Sequence, residues 1–258
     1  MESGQYYRES SHIISPKVVA VQSLNNNSVW AGSVLHKSEN SVFILTQSEI
    51  IKRGHRLCVH FHNRAHLEAK VLLKHDLFAI LYTVGTHASC TCIELRSESF
   101  GISEALCVVP KSKTTFHIIP GSIPKPSLRA YDKNGVLSPT TDDHFIFICH
   151  HEHKTTINPA PIFHEDRTVD GFVIDSCHVP KTEKRNDANA NVHKSSGGER
   201  KVDIHAKICI KASAVQILLQ ELLGPNWKEG LENGLNNMKM NSEKEKGYRK
   251  RNRDQVTN

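Results

Sequence analysis

The sequence predicts an all-β fold: short antiparallel strands forming a barrel or sandwich, with one helix near the C-terminus. Three observations predict it. From Lys17 onward, apolar runs recur at roughly 8–12-residue spacing, the interval of all-β barrels and sandwiches. Clusters of Asn, Gly and Pro punctuate those runs where the chain must turn. Only one window, residues 212–223, carries apolar residues at helical period.

Residues 1–16 are polar and are expected to be flexible. Val18-Val19-Ala20-Val21 is the first apolar run, and Asn25-Asn26-Asn27 turns the chain. Residues 29–35 form the next strand, 37–40 a turn, and 41–46 a third strand. Residues 56–61 alternate apolar and polar side chains, as a half-buried strand does. Residues 67–73 and 77–82 follow, the second of them fully apolar. A second set begins at 105–109 and 116–120. A stretch with Gly121, Pro124, Pro126, Gly135 and Pro139 then precedes a strand at 144–149. Asn158-Pro159-Ala160-Pro161 is a tight elbow, because Pro resists both helix and central-strand pairing. It feeds a hairpin: Ile162-Phe163, a polar turn at 164–168, and a returning strand at 169–174. Residues 181–200 have almost no apolar side chains and are expected to be a disordered insertion. Residues 202–210 return to strand. Ala212, Val215, Leu219 and Leu222 then fall on one helical face, and Gly224-Pro225 ends that helix. Residues 224–258 read as a disordered polar and basic tail.

The order of elements and three motifs together resemble the trypsin-like serine proteases, and among them the Deg/HtrA type. The family pairs a small-Gly strand with a strand ending in Thr-Asn-Ala-His. Here Ala31-Gly32-Ser33-Val34 is followed by Ile44-Leu45-Thr46-Gln47-Ser48-Glu49. The family's Asp-Leu-Ala-Val-Leu reads here as Asp76-Leu77-Phe78-Ala79-Ile80-Leu81. Its Asn-Pro-Gly-Asn-Ser-Gly-Gly-Pro-Leu-Phe is reduced to Asn158-Pro159-Ala160-Pro161-Ile162-Phe163, followed by a turn and Gly171. The resemblance covers residues 17–223 apart from the insertion. It implies two six-stranded-type antiparallel β-barrels, at 17–98 and 99–223, with 212–223 as the closing helix.

A serine protease needs a hydroxyl nucleophile, an imidazole base, an orienting carboxylate and backbone N–H groups for the oxyanion. The resemblance puts the acid at Asp76, the base position at Glu49 and the nucleophile position at Asn158. Asp76 also reads simply as the residue capping the turn into the next strand. Glutamate side chains ordinarily titrate near ~4.3, against ~6.5 for an imidazole, and Glu49 reads equally as a solvated loop residue. Aligned on Pro161, the serine becomes Asn158; aligned on Asn158-Pro159, the Gly-Asn-Ser-Gly-Gly loop is deleted. The nearest hydroxyls, Thr155, Thr156 and Ser176, have no glycines beside them. Pro159 lacks an N–H for an oxyanion hole. No intact triad is expected.

Two histidine groups are candidate metal ligands: His60, His62 and His66, and the run Cys149-His150-His151-Glu152-His153. On strands, His60 would share a face with His62, and His151 with His153. Neither group has a His-Glu-x-x-His spacing, and Cys90-Thr91-Cys92 is shorter than a zinc motif. Surface histidines are the plainer reading, and no metal or other cofactor is expected. The charge of +6 is mild, and the basic run at 244–253 has only Tyr248 as an aromatic. No sequence-specific nucleic-acid recognition is expected. That run reads as a nuclear import signal, a nucleic-acid contact or a solvated tail. Residues 1–10 lack the apolar segment of a secretory signal, and no run approaches the ~18 residues of a membrane helix. Seven cysteines without such a signal suggest reduced thiols, in the cytoplasm or nucleus.

The expected function is a non-catalytic protease homologue that binds a peptide or protein partner in its residual cleft. Protease clefts hold peptides partly as an added strand, which does not need the nucleophile. A serine-type endopeptidase with an unconventional hydroxyl and a His-rich metal-binding module are the alternatives.

Overall fold

A computed structural model describes residues 12–52, 55–85, 89–97, 101–124, 142–150, 159–181 and 202–256. Twelve strands form two closed antiparallel barrels. The first contains β1 (Val18–Ser23), β2 (Val29–Lys37), β3 (Ser41–Gln47), β4 (Leu57–His60), β5 (His66–Lys74) and β6 (Phe78–Val84). Its strand order is β1-β2-β3-β6-β5-β4, closed by β1 against β4. The second contains β7 (Ser103–Pro110), β8 (Phe116–Ile123), β9 (His144–Cys149), β10 (Pro161–Phe163), β11 (Val169–Lys181) and β12 (Val202–Lys211). Its order is β10-β11-β12-β9-β8-β7, closed by β10 against β7. Closure pairs every edge, which suits short strands with no long apolar partner.

Each barrel has its own interior. Val19, Val21, Val34, Ile44, Leu57, Val59 and Leu81 fill the first. Ala105, Cys107, Val109, Ile119, Phe147, Ile162 and Cys209 fill the second. A third cluster lies between the barrels. It joins Leu35, Phe43, Phe78 and Ile80 of the first barrel to Leu106, Phe163, Phe172 and Ile210 of the second.

Two glycines that carry the family motifs are required by packing. A Cβ on Gly32 would stand 2.8 Å from Ile44 Cγ2 and from Val21 Cγ2, inside the first barrel. A Cβ on Gly171 would collide with the Ile210 carbonyl oxygen of the neighbouring strand. Pro161 starts β10. It faces Phe172 of β11, while pairing to β7 begins only at Ile162 opposite Cys107, so its missing N–H falls at a strand start.

The helix expected at 212–223 is α1 (Ala212–Leu223), with Ala212, Val215 and Leu219 buried. The tail expected to be disordered is instead a second helix, α2 (Trp227–Val256). Trp227, Leu231 and Leu235, spaced i, i+4, i+8, are buried in the inter-barrel cluster. Glu232 Oε1 accepts from His36 Nε2 at 2.8 Å and ties α2 to β2. Two glycines hid this helix in the sequence, and packing requires one of them, Gly230, while a Cβ on Gly234 would make only ordinary contact. A Cβ on Gly230 would meet the Leu223 carbonyl oxygen, and Gly234 lies 3.5 Å from Leu72 of β5 by the same construction. Of the insertion expected at 181–200, only Lys181 is described, as the last residue of β11. Pro126, Gly135 and Pro139 of the turn-rich stretch also lie outside the described residues.

Candidate active-site cleft

The 3-10 turn Ser48–Ile50 follows β3 and carries Glu49 at its exposed middle position. Asp76 lies in the turn between β5 and β6, also exposed. Ser48 Oγ donates to the Asp76 carbonyl oxygen at 2.5 Å, and Ser48 N–H donates to the Leu77 carbonyl at 3.4 Å. These bonds hold the two acidic turns together. Residues 27 positions apart in sequence thus meet at one place.

That place is a cleft of about 110 Å³ between the barrels. Leu45, Leu77 and Phe78 line it from the first barrel, and Pro159, Phe172, Val173 and Ile174 from the second. Gln47, Ser48, Glu49 and Asp76 form its polar side. Glu49 and Asp76 therefore converge. Asn158, with Thr155 and Thr156, lies outside the described residues, but its neighbour Pro159 is a wall of the same cleft. Among the described residues neither Glu49 nor Asp76 forms an ion pair.

Among the described residues, the cleft's two hydroxyls are committed to backbone carbonyls. Thr46 Oγ1, buried, donates to Ala31 O at 2.8 Å, and Ser48 Oγ to Asp76 O. His75 borders an adjoining hollow with Lys74, Glu49 and Asp76. Its Nδ1 accepts the Leu77 N–H at 3.4 Å and its ring leans on Phe78. Lys74 Nζ donates to the Ile51 carbonyl at 3.1 Å. Sequence spacing singled out Glu49 and Asp76, which line one cleft, and did not single out Gln47, Ser48, Lys74 and His75 around them. Adjacency to the two motif positions was the available signal.

The remaining candidates lie elsewhere. Ser176, exposed on β11, accepts a hydrogen bond from Nζ of the buried Lys207 at 2.8 Å. His60 does not share a face with His62, because β4 ends at His60 and His62 lies in the following turn. His60 is buried rather than on the surface. It hydrogen-bonds Gln22 Oε1 at 2.9 Å and stacks on His66 across the strand pair, ring centroids 5.7 Å apart. Burial holds its pKa below the ordinary value, with Lys113 and His66 adding to the effect. His151, Glu152 and His153 lie outside the described residues. Among the described residues no three His, Cys, Asp or Glu side chains gather in a metal-binding group. The seven cysteines, Cys90 and Cys92 among them, form no disulfide. Among the described residues no helix is long and apolar enough to cross a membrane.

One charged cluster went unforeseen. Asp170, on the returning strand of the β10–β11 hairpin, has a fully buried side chain. His164 Nδ1 stands 3.3 Å from one of its oxygens and Arg96 Nη1 3.6 Å from the other. Neither oxygen accepts an aligned hydrogen bond. Burial raises its pKa to about 6, outweighing the opposing pull of the imidazole and guanidinium. Arg96 comes from the connector between the barrels, whose Leu95 bridges Val169 in parallel.

No protein-family model matches the chain, and no curated protein sequence matches it. Solved structures do. The inactive form of a serine-to-alanine variant of Rv3671c from M. tuberculosis superposes with a TM-score of 0.58 at 16% identity, covering 87% of this chain and 95% of that one. The active form of the Rv3671c protease gives 0.55 at 17% identity, covering 84% and 86%. Deg5 gives 0.52 at 13% identity, covering 67% and 86%. At these identities the likeness is one of fold. Two closed six-stranded barrels and those neighbours together give the chain the trypsin-like, HtrA-like protease fold.

Proposed function

We propose that this chain is a non-catalytic serine-protease homologue that holds an extended segment of a partner protein in the inter-barrel cleft. One observation carries the reading: Glu49, which motif spacing aligns with the base, lines the cleft, and the two hydroxyls among the cleft's described residues donate to backbone carbonyls. Carboxylates as a class are poorly matched to removing a serine proton near neutral pH. The apolar walls and two uncompensated carboxylates suit retention of a peptide side chain, a task that needs no nucleophile. The purified chain is expected to leave a casein-type substrate intact and to take up no fluorophosphonate label. Cleavage that a fluorophosphonate blocks would overturn the reading.

A second reading rests on Ser176. Its hydroxyl is paired with a buried lysine, and Ser-Lys pairs serve as nucleophile and base on other folds. Fluorophosphonate labelling of Ser176 that is lost in Lys207→Met would establish this reading and displace the first.

A further inference from the structure

Two cysteines in the connector between the barrels differ from the other five. Cys90 and Cys92 flank Thr91, and both side chains pack against the apolar cluster of the first barrel. Backbone bonds hold the segment on each side: Thr91 N–H donates to Pro16 O at 3.1 Å and Ile93 N–H to Val34 O at 2.8 Å. Cys90 is buried, while Cys92 is partly exposed. Only Cys149 shares that partial exposure; Cys58, Cys107, Cys177 and Cys209 are buried.

The surroundings of Cys92 are basic. Lys228, Lys37 and Lys17 act on its thiol, and among the described residues no carboxylate does. The lysines come from three elements: Lys17 just before β1, Lys37 at the end of β2 and Lys228 in the first turn of α2. The Lys37 backbone N–H also hydrogen-bonds the Cys92 sulfur. Lys17 is buried, with 9% of its surface exposed. Among the described residues its Nζ donates to the uncharged Arg167 carbonyl at 3.2 Å and forms no ion pair. Buried charges ordinarily have a counter-charge, so this ammonium favours an anion arriving beside Cys92. Cys149, by contrast, faces one lysine, Lys207.

A partly exposed thiol in electropositive surroundings, with a second thiol in reach, is the arrangement of an exchange site. Two residues apart, the Cα atoms of Cys90 and Cys92 are at most about 7 Å from each other, the outer limit for a bridge. Burial outweighs the lysines and keeps the Cys92 pKa above its ordinary value, so exchange quickens as pH rises toward it.

We infer that Cys92 is a thiol–disulfide exchange site for small anionic disulfides of the glutathione type, with Cys90 as the resolving thiol. Cys92 loses its proton to solvent, and its sulfur attacks one sulfur of the incoming disulfide. That S–S bond breaks, a protein–glutathione disulfide forms, and the first glutathione leaves as a thiolate that takes up a proton. Cys90, deprotonated in turn, attacks the Cys92 sulfur and expels the second glutathione in the same way. The two protein thiols are oxidised to one disulfide, and the incoming disulfide is reduced to two thiols. None of this rests on the cleft.

The folded full chain would be incubated with glutathione disulfide, a net dianion, or with cystamine, a dication, and followed by intact mass and peptide mapping. Each rate would be taken relative to the same reagent's rate on an unstructured, uncharged cysteine peptide. Cys92 is expected to react first of the seven thiols, and the product to be a Cys90–Cys92 bridge with no glutathione retained. The normalised preference for the dianion is expected to be about tenfold or more at low salt and to shrink at high salt. It is expected to fall by at least about threefold in K37Q/K228Q. C90S is expected to stop at a stable glutathione adduct on Cys92. First reaction at Cys149 or at any other thiol overturns the inference, as does a preference near one or a parent chain that retains the adduct.

Discussion

Glu49 and Asp76 bring two negative charges to the mouth of a cleft whose walls are otherwise largely apolar. A peptide bound there gains most if it presents Lys or Arg to them. Both carboxylates are exposed, so each contributes at the scale of a surface pair, about 0.5–1 kcal/mol. Glu49→Gln is therefore expected to weaken a Lys-bearing peptide by about two- to fivefold and to leave its norleucine analogue unchanged. Equal losses for both peptides would mean that the charge does not contribute. Asp170 poses the opposite case, a carboxylate that folding disfavours in its charged form. Its folded pKa of about 6 exceeds the unfolded value of 3.8. Below pH 4 both states are protonated and burial imposes no charge penalty. Between about 4 and 6 the unfolded chain releases the proton first, so stability falls as pH rises, and above 6 the loss is complete. His164, Arg96 and Asp166 are the charged groups that face it. Asp170→Asn removes the titration. The variant's melting temperature relative to the parent is thus expected to climb between pH 4 and pH 7, by the equivalent of about 2–3 kcal/mol. A difference that stays flat across that range would show that the carboxyl titrates alike in both states.

The hairpin and the second helix show what kind of element sequence reveals. The β10–β11 hairpin was legible because its alternation, its turn residues and its glycine are all local. Helix α2 was not, because among the described residues its buried seam is just Trp227, Leu231 and Leu235 and is interrupted by Gly230 and Gly234. Glycine in a helix interior costs about 1 kcal/mol against alanine, so propensity alone favours Gly230→Ala. Packing decides otherwise. The added Cβ would collide with the Leu223 carbonyl oxygen and stand 2.9 Å from Leu223 Cβ, both fixed by α1. Gly230→Ala is expected to destabilise the fold by about 1–3 kcal/mol, lowering the melting temperature; a rise would mean that α2 is not seated against α1. The same distinction applies to the cleft. Motif spacing pointed to Glu49 and Asp76, which line it, but Phe172 and Pro159 reach it only when the second barrel closes. The burial of Asp170 was hidden for a similar reason, since Arg96 arrives from the distant connector. Contacts made by closure between remote segments leave no local period to read.

At the scale of the molecule, the third apolar cluster determines whether two barrels behave as one unit. Phe43, Phe78 and Ile80 of the first barrel share it with Phe163, Phe172 and Ile210 of the second, and with Trp227, Leu231 and Leu235 of α2. The connector reinforces the union, since Ile93 N–H donates to Val34 O at 2.8 Å and Arg96 N–H to Val169 O at 3.0 Å. Neither barrel can open without exposing the shared cluster, so unfolding is expected as a single transition. The two tryptophans make this testable, because Trp30 lies on β2 and Trp227 on α2. In a Trp227→Phe background, Trp30 reports the first barrel alone. Phe172→Ala then removes a fully buried ring from the second barrel, at a cost of about 3–5 kcal/mol. For a chain of this size that corresponds to a shift of about 10 °C. If the cluster couples the barrels, the Trp30 fluorescence midpoint falls by that amount and stays coincident with the far-ultraviolet transition. If the barrels are independent, Trp30 melts where it did before and only the far-ultraviolet signal splits.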